Sequence, residues 1–130
     1  MRVTILGGGG FRVPLICREL AASDLAIGEV TLYDVVPGRL DVISAVLAAD
    51  GLPLRTTTDL DAAVRGADVI FAALRVGGLH GRVADERSAL DAGVIGQETV
   101  GAGGLSYAAR GANSATRRAI ASTTGTARAA

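Results

Sequence analysis

RVTILGGGGFRVPLI, residues Arg2 to Ile16, is the stretch that decides the fold. Arg2 to Leu6 forms a short β-rich run, Gly7 to Gly10 interrupt it, and Pro14 stands where a helix begins, with Leu15, Ile16 and Leu20 at helical spacing. A strand, a glycine turn and a helix in that order let bare backbone approach a pyrophosphate. The helix N-terminus then supplies N–H donors and positive partial charge. The dinucleotide pattern G-x-G-x-x-G is met at Gly7 and Gly9, whereas its third glycine position holds Arg12.

The same alternation continues down the chain. Glu29 to Tyr33 (EVTLY) reads as a second strand that ends on Asp34, and Pro37 opens a second helix carrying Leu40, Ile43, Val46 and Leu47. A carboxylate at Asp34 is placed to accept hydrogen bonds from an adenosine ribose, and an acid there favours NAD over NADP. The alternative is that Asp34 caps the turn into Pro37. Leu54 to Thr57 is a third, weak strand, and Asp59 to Arg65 a short helix capped by Thr58 or Asp59. Asp68 to Leu74 (DVIFAAL) is a continuous apolar strand. Crossovers of this length predict an α/β fold, a Rossmann-like doubly wound parallel sheet, whose ligands bind beyond the carboxyl ends of the strands. Gly7 to Gly10, Asp34 and Arg75 to Gly78 all fall at that edge.

Composition agrees with this class. Apolar residues make up 49% of the 130 residues but aromatics only 3%, so Val, Leu, Ile and Ala must build the core. Net charge is zero and no basic stripe is interleaved with aromatics, which argues against nucleic acid. No run approaches the roughly 20 apolar residues of a membrane span. Cys17 is the only cysteine, and the N-terminus lacks a signal-peptide arrangement, so a reducing cytoplasm is the expected compartment.

From Arg75 to Gly104 the chain reads RVGGLHGRVADERSALDAGVIGQETVGAGG, two glycine-rich turns around one short apolar helix. Arg75, Arg82, Asp85, Glu86, Gln97 and Glu98 cluster at the breaks, as they would on a binding surface. Arg75 and Arg82 are expected on the loop after the fourth strand, where guanidinium forks suit phosphate or carboxylate groups. Either can equally pair with Asp85, Glu86 or Asp91. Glu98 reads as a helix-capping acid or as a carboxylate that tunes a neighbour. His80, the one histidine, forms no metal-ligand spacing with Cys17, and both are assigned structural or surface roles.

Together, ILGGGGFRVP, VTLYD and the long motif resemble the N-terminal domain of the family 4 glycoside hydrolases, of the 6-phospho-β-glucosidase type, over residues 2 to 110. The resemblance implies an enzyme that hydrolyses phosphorylated disaccharides or glycosides with NAD and a divalent metal, usually manganese. In that chemistry the cofactor oxidises the sugar at C3, a tyrosine base removes the C2 proton, the C1 group is eliminated, water adds and the ketone is reduced again. It implies Gly7, Gly8, Gly9 and Gly10 as the pyrophosphate turn, Asp34 as the ribose carboxylate, and Phe11, Arg12 and Arg39 as further NAD contacts. Arg75 and Arg82 fall on the substrate loop, and Glu98 on the acid that raises the basicity of the tyrosine. A homo-oligomer is also implied.

Two departures accompany the resemblance. Ala102 stands where the glycine-rich turn usually has proline, and the family's continuation after Arg110 is missing, with its metal-ligating Cys and His and its tyrosine base. Cys17, His80, Tyr33 and Tyr107 do not match those positions. From Gly111 to Ala130 one large apolar residue, Ile120, and three arginines follow no period, as in a disordered tail. The expectation is therefore a catalytically inactive NAD-binding fragment, a sheet truncated after its first half with an uncovered edge. A stand-alone NAD-binding module and a fragment of the malate or lactate dehydrogenase type are the alternatives. A dehydrogenase would need a catalytic histidine beyond the fourth strand in a pattern that His80 does not fit.

Overall fold

The computed structural model describes residues 1–97 and 100–112 of the chain. They fall into two compact units, residues 1–74 and a second that opens at Arg75. In the first, β1 (Arg2–Leu6), α1 (Val13–Ala22), β2 (Glu29–Tyr33), α2 (Pro37–Leu47), β3 (Leu54–Thr57), α3 (Leu60–Val64) and β4 (Val69–Ala72) alternate. The second holds α4 (Gly78–Asp91) and α5 (Gly101–Ala112).

The four described strands form one all-parallel sheet in the order β3-β2-β1-β4, with Val3 opposite Val30 and Val69. The chain winds outward from β1 to β3 and then returns to β1's other edge, which is the Rossmann-like arrangement predicted. Because side chains alternate along a strand, each sheet face has its own core. Val3, Ile5, Val30 and Leu32 meet Val13 and Cys17 of α1 and Leu40, Ile43 and Leu47 of α2. Leu6 and Tyr33 meet Ala63 and Val64 of α3. Helices therefore cover both faces, so the inner strands β1 and β2 read as nearly unbroken buried runs.

Prolines fix both helix starts, with Pro14 in the first turn of α1 and Pro37 at the head of α2. Of the two caps weighed for α3, Asp59 fills the role, accepting from the N–H groups of Asp61 at 2.9 Å and Ala62 at 3.2 Å. β4 departs from expectation. Its apolar run is shorter than Asp68 to Leu74, and Val69 and Phe71 are half-exposed, since β4 lies at the sheet edge among the described residues. Among the described residues no helix is long and apolar enough to cross a membrane. α5 reaches Ala112, past the boundary expected at Arg110, and the rest of the expected tail lies outside the described residues.

A hydroxyl ties α3 to the sheet. Thr4, 2% exposed, donates from Oγ1 to the Ala63 carbonyl at 2.7 Å, which satisfies two polar groups in an apolar setting. Thr4→Val keeps the shape and orphans that carbonyl, so it should destabilise the chain by about 1–3 kcal/mol. Equilibrium urea unfolding measures this, and a midpoint unchanged from wild type would contradict the assignment.

Candidate functional site

The turn between β1 and α1 is pinned to the carboxyl end of β2. Gly7 and Gly8 both donate to the Tyr33 carbonyl, at 2.8 and 2.7 Å, and Gly9 donates to Asp34 Oδ2 at 3.1 Å. Asp34 Oδ1 accepts from the Val36 N–H at 3.0 Å. Asp34 thus caps the turn toward Pro37 and also anchors the glycine turn. It is 8% exposed, and each oxygen has accepted a single bond, which leaves acceptor capacity on the carboxylate.

Glycine is required here for two separate reasons. Gly7 has φ +86° and lies where a Cβ would be 2.7 Å from the Ala73 carbonyl oxygen. At Gly9 a Cβ would fall 2.5 Å from the Arg39 Cβ and 2.8 Å from Asp34 Oδ2. Just after the glycines, the Phe11 and Arg12 N–H groups make no hydrogen bond among the described residues. Both stand at the entry to α1, where the helix N-terminus offers donors and positive potential to an anion. Phe11, 83% exposed, lies 5.3 Å below the Arg12 guanidinium. These residues fit a dinucleotide: N–H donors for a pyrophosphate and a carboxylate with acceptor capacity for a ribose.

Cys17 is buried in α1, and burial, with Asp50 adding, pushes its thiol up to about 11, so it stays a neutral core group.

The second unit corrects the reading of Arg75 to Gly104. Arg82 is not on a loop. Gly77 and Gly78, with φ +81° and +54°, turn the chain directly into α4, which carries His80, Arg82, Asp85 and Glu86. Nor is α4 an apolar helix: its buried positions are Gly81, Asp85 and Ala89, a stripe of small or short residues four apart. The second glycine-rich segment, Gly101 to Gly104, is the first turn of α5.

Asp85, 1% exposed, is the residue that the sequence reading undervalued. Its Oδ1 accepts from Ser106 Oγ at 2.7 Å and from Arg110 Nη2 at 2.6 Å, both on α5. Room for Arg110 comes from two glycines, since a Cβ would lie 3.3 Å from its Nη1 at Gly77 and 3.1 Å at Gly81. The sequence signal was the four-residue spacing of Gly81, Asp85 and Ala89, which puts all three on one helix face, with Gly77 one step before it at the helix start. Arg82 Nε pairs with Glu86 Oε1 at 2.8 Å, one of the partners foreseen for it. Arg75 is exposed, with its guanidinium 6.0 Å from the Tyr107 ring centre. Glu98 lies outside the described residues.

The Family 4 glycosyl hydrolase model matches residues 2–116. The chain belongs to that family. Among solved structures it is similar to the 6-phospho-β-glucosidase of Thermotoga maritima with manganese, NAD+ and glucose-6-phosphate, at 31% identity and a TM-score of 0.85 over 96% of this chain and 32% of that one. A second structure of that enzyme, with NAD and glucose-6-phosphate, gives 30% identity and a TM-score of 0.85 over 96% of this chain. A 6-phospho-α-glucosidase from gut microorganisms, with NAD and Mn2+, is similar at 32% identity and a TM-score of 0.70 over 82% of this chain and 26% of that one. No curated protein matches. The chain thus spans about a third of the length of its family relatives of known structure.

For manganese the described residues offer no such fit. Among the described residues no three His, Cys, Asp or Glu side chains come together as a metal site.

The Ser106 hydroxyl, then the hydrogen bond and charge of Arg110, with Arg75 adding at longer range, hold the Asp85 carboxyl below the usual carboxylate range against the opposing effect of burial. A folded-state value below the unfolded one of about 3.9 means that the stabilisation is complete above that pH and is lost as pH falls through the folded value. The stability gap between wild type and Asp85→Asn should therefore be full near about pH 7 and shrink below about pH 4. Denaturant melts across that range measure it, and a gap of constant size would show that the carboxylate charge is not involved.

Proposed function

We propose that the chain is the NAD-binding part of a family 4 enzyme that hydrolyses 6-phosphoglucosides. The observation carrying this is the glycine turn held by Asp34 beside two unengaged N–H groups, in a chain whose family relatives bind NAD and glucose-6-phosphate. In this reading the N–H groups of Phe11 and Arg12 hold the pyrophosphate and the Asp34 carboxylate accepts from the adenosine ribose. Gly7, Gly8, Gly9 and Gly10 keep the approach open, and Arg39 lines the ribose side. When bound, the nicotinamide supplies a hydride acceptor for a sugar hydroxyl. Arg75 and Arg82 offer guanidinium forks to the anionic group of the sugar phosphate.

The family chemistry also uses a divalent metal, and among the described residues no group of three His, Cys, Asp or Glu side chains comes together to hold one. A stand-alone NAD-binding module is the second reading, favoured because every candidate cofactor contact lies within residues 1–74, which have their own core.

Calorimetric titration of the 130-residue chain with NAD tests both readings. We expect saturable binding that Asp34→Ala and Gly9→Ala each weaken by roughly tenfold or more, equivalent to about 1.4 kcal/mol. A folded chain that takes up no NAD overturns both. Turnover of a 6-phospho-β-glucoside by the chain with NAD and Mn2+ would eliminate the module reading.

A further inference from the structure

We propose that Asp85 is a positioning residue for Arg75, which it holds against the Tyr107 ring through its contacts on α5. The inference rests on the reading of Arg75 as a contact for an anionic substrate. Tyr107 follows Ser106 directly and precedes Arg110 by one helical turn, and those two residues both donate to the Oδ1 of Asp85. One buried acceptor therefore sets both the rotation and the height of α5 against α4. The same choice sets where the Tyr107 ring stands, and the Arg75 guanidinium lies 6.0 Å from its centre.

The attachment is single-ended, which makes each contact matter. Arg110 Nε is buried with no hydrogen-bond partner among the described residues, so its guanidinium is held through Nη2 alone at 2.6 Å. The two glycines that admit it, Gly77 and Gly81, flank the turn just after Arg75, so a shift of Arg110 is felt there directly. Among the described residues, the charged groups that act on Asp85 are Arg110 from α5 and, at longer range, Arg75 from the segment before α4. The Tyr107 ring, 6.0 Å from the Arg75 guanidinium, together with the longer-range charge of Asp85, biases the direction of the fork, and a fork of defined direction suits two-point recognition of a planar or tetrahedral anion.

The test uses the whole chain, isotope-labelled, with Arg75 Nε and the Asp85 carboxyl carbon followed by NMR against pH, and Tyr107→Leu setting the ring-current zero. In wild type the two resonances should share one midpoint. Ser106→Ala should raise both midpoints together, and Asp85→Asn should flatten the Arg75 profile and remove at least half of its ring-current shift. A purely structural Asp85 would leave Arg75 without that shared midpoint. An Arg75 signal that keeps its shift in folded Asp85→Asn, or midpoints that separate in Ser106→Ala, overturns the proposal. Should Asp85→Asn not fold, Ser106→Ala decides alone. Glucose 6-phosphate checks the underlying reading separately: shared midpoints with an Arg75 signal unmoved by the sugar phosphate keep the positioning and remove the anion contact.

Discussion

The Tyr33 carbonyl accepts from two consecutive N–H groups, those of Gly7 and Gly8, and much of the first unit follows from that shared bond. It extends the β1–β2 pairing one step beyond the strands, so the chain leaving β1 cannot rise away from the sheet. Gly9 is thereby brought within reach of Asp34, and the next residues enter α1 at a fixed height. Val13 and Cys17 then land on Val3, Ile5, Val30 and Leu32 as part of the larger core. Side chains at the first three glycines would push the turn off this path, since a Cβ at each meets atoms closer than 3 Å.

Asp34 shows how one carboxylate can hold structure at the place proposed for recognition. Its bonds to Gly9 and Val36 hold the two loops at the carboxyl end of β2. The anchor and the candidate ribose contact are one group, so the geometry for recognition is already set when the chain is folded. The Val36 bond is also the cap that the sequence offered as the competing explanation, and it leaves acceptor capacity on the carboxylate for the proposed ribose contact.

The first unit was legible because its signals are local. Glycines after an aliphatic run, prolines at helix starts and an acid at a strand end each act within a few residues, and β1, β2, α1 and α2 follow from them. What was missed depends on partners distant in sequence. Nothing in DVIFAAL says that β4 lies at an edge, because its neighbours are chosen by the crossover path. The glycines of RVGGLHG were read as breaks in an apolar period, whereas Gly77 and Gly81 also make a slot for Arg110, about 30 residues later. A search for small residues four apart would have placed Gly81, Asp85 and Ala89 on one face. Only the pairing of α4 with α5 tells which residue fills the gap.

The two units also differ in the kind of force that holds them. Aliphatic burial in the first carries a large heat-capacity change on unfolding, and its contribution to stability is therefore strongly curved in temperature. Small residues and a shielded carboxylate join α4 to α5, with little apolar area to hydrate when they part. The desolvation cost of such charged groups declines on warming. The α4–α5 pair accordingly has a flatter thermal profile than the sheet, and the Asp85 contacts hold over a wider span of temperature than the modest apolar content of the two helices suggests.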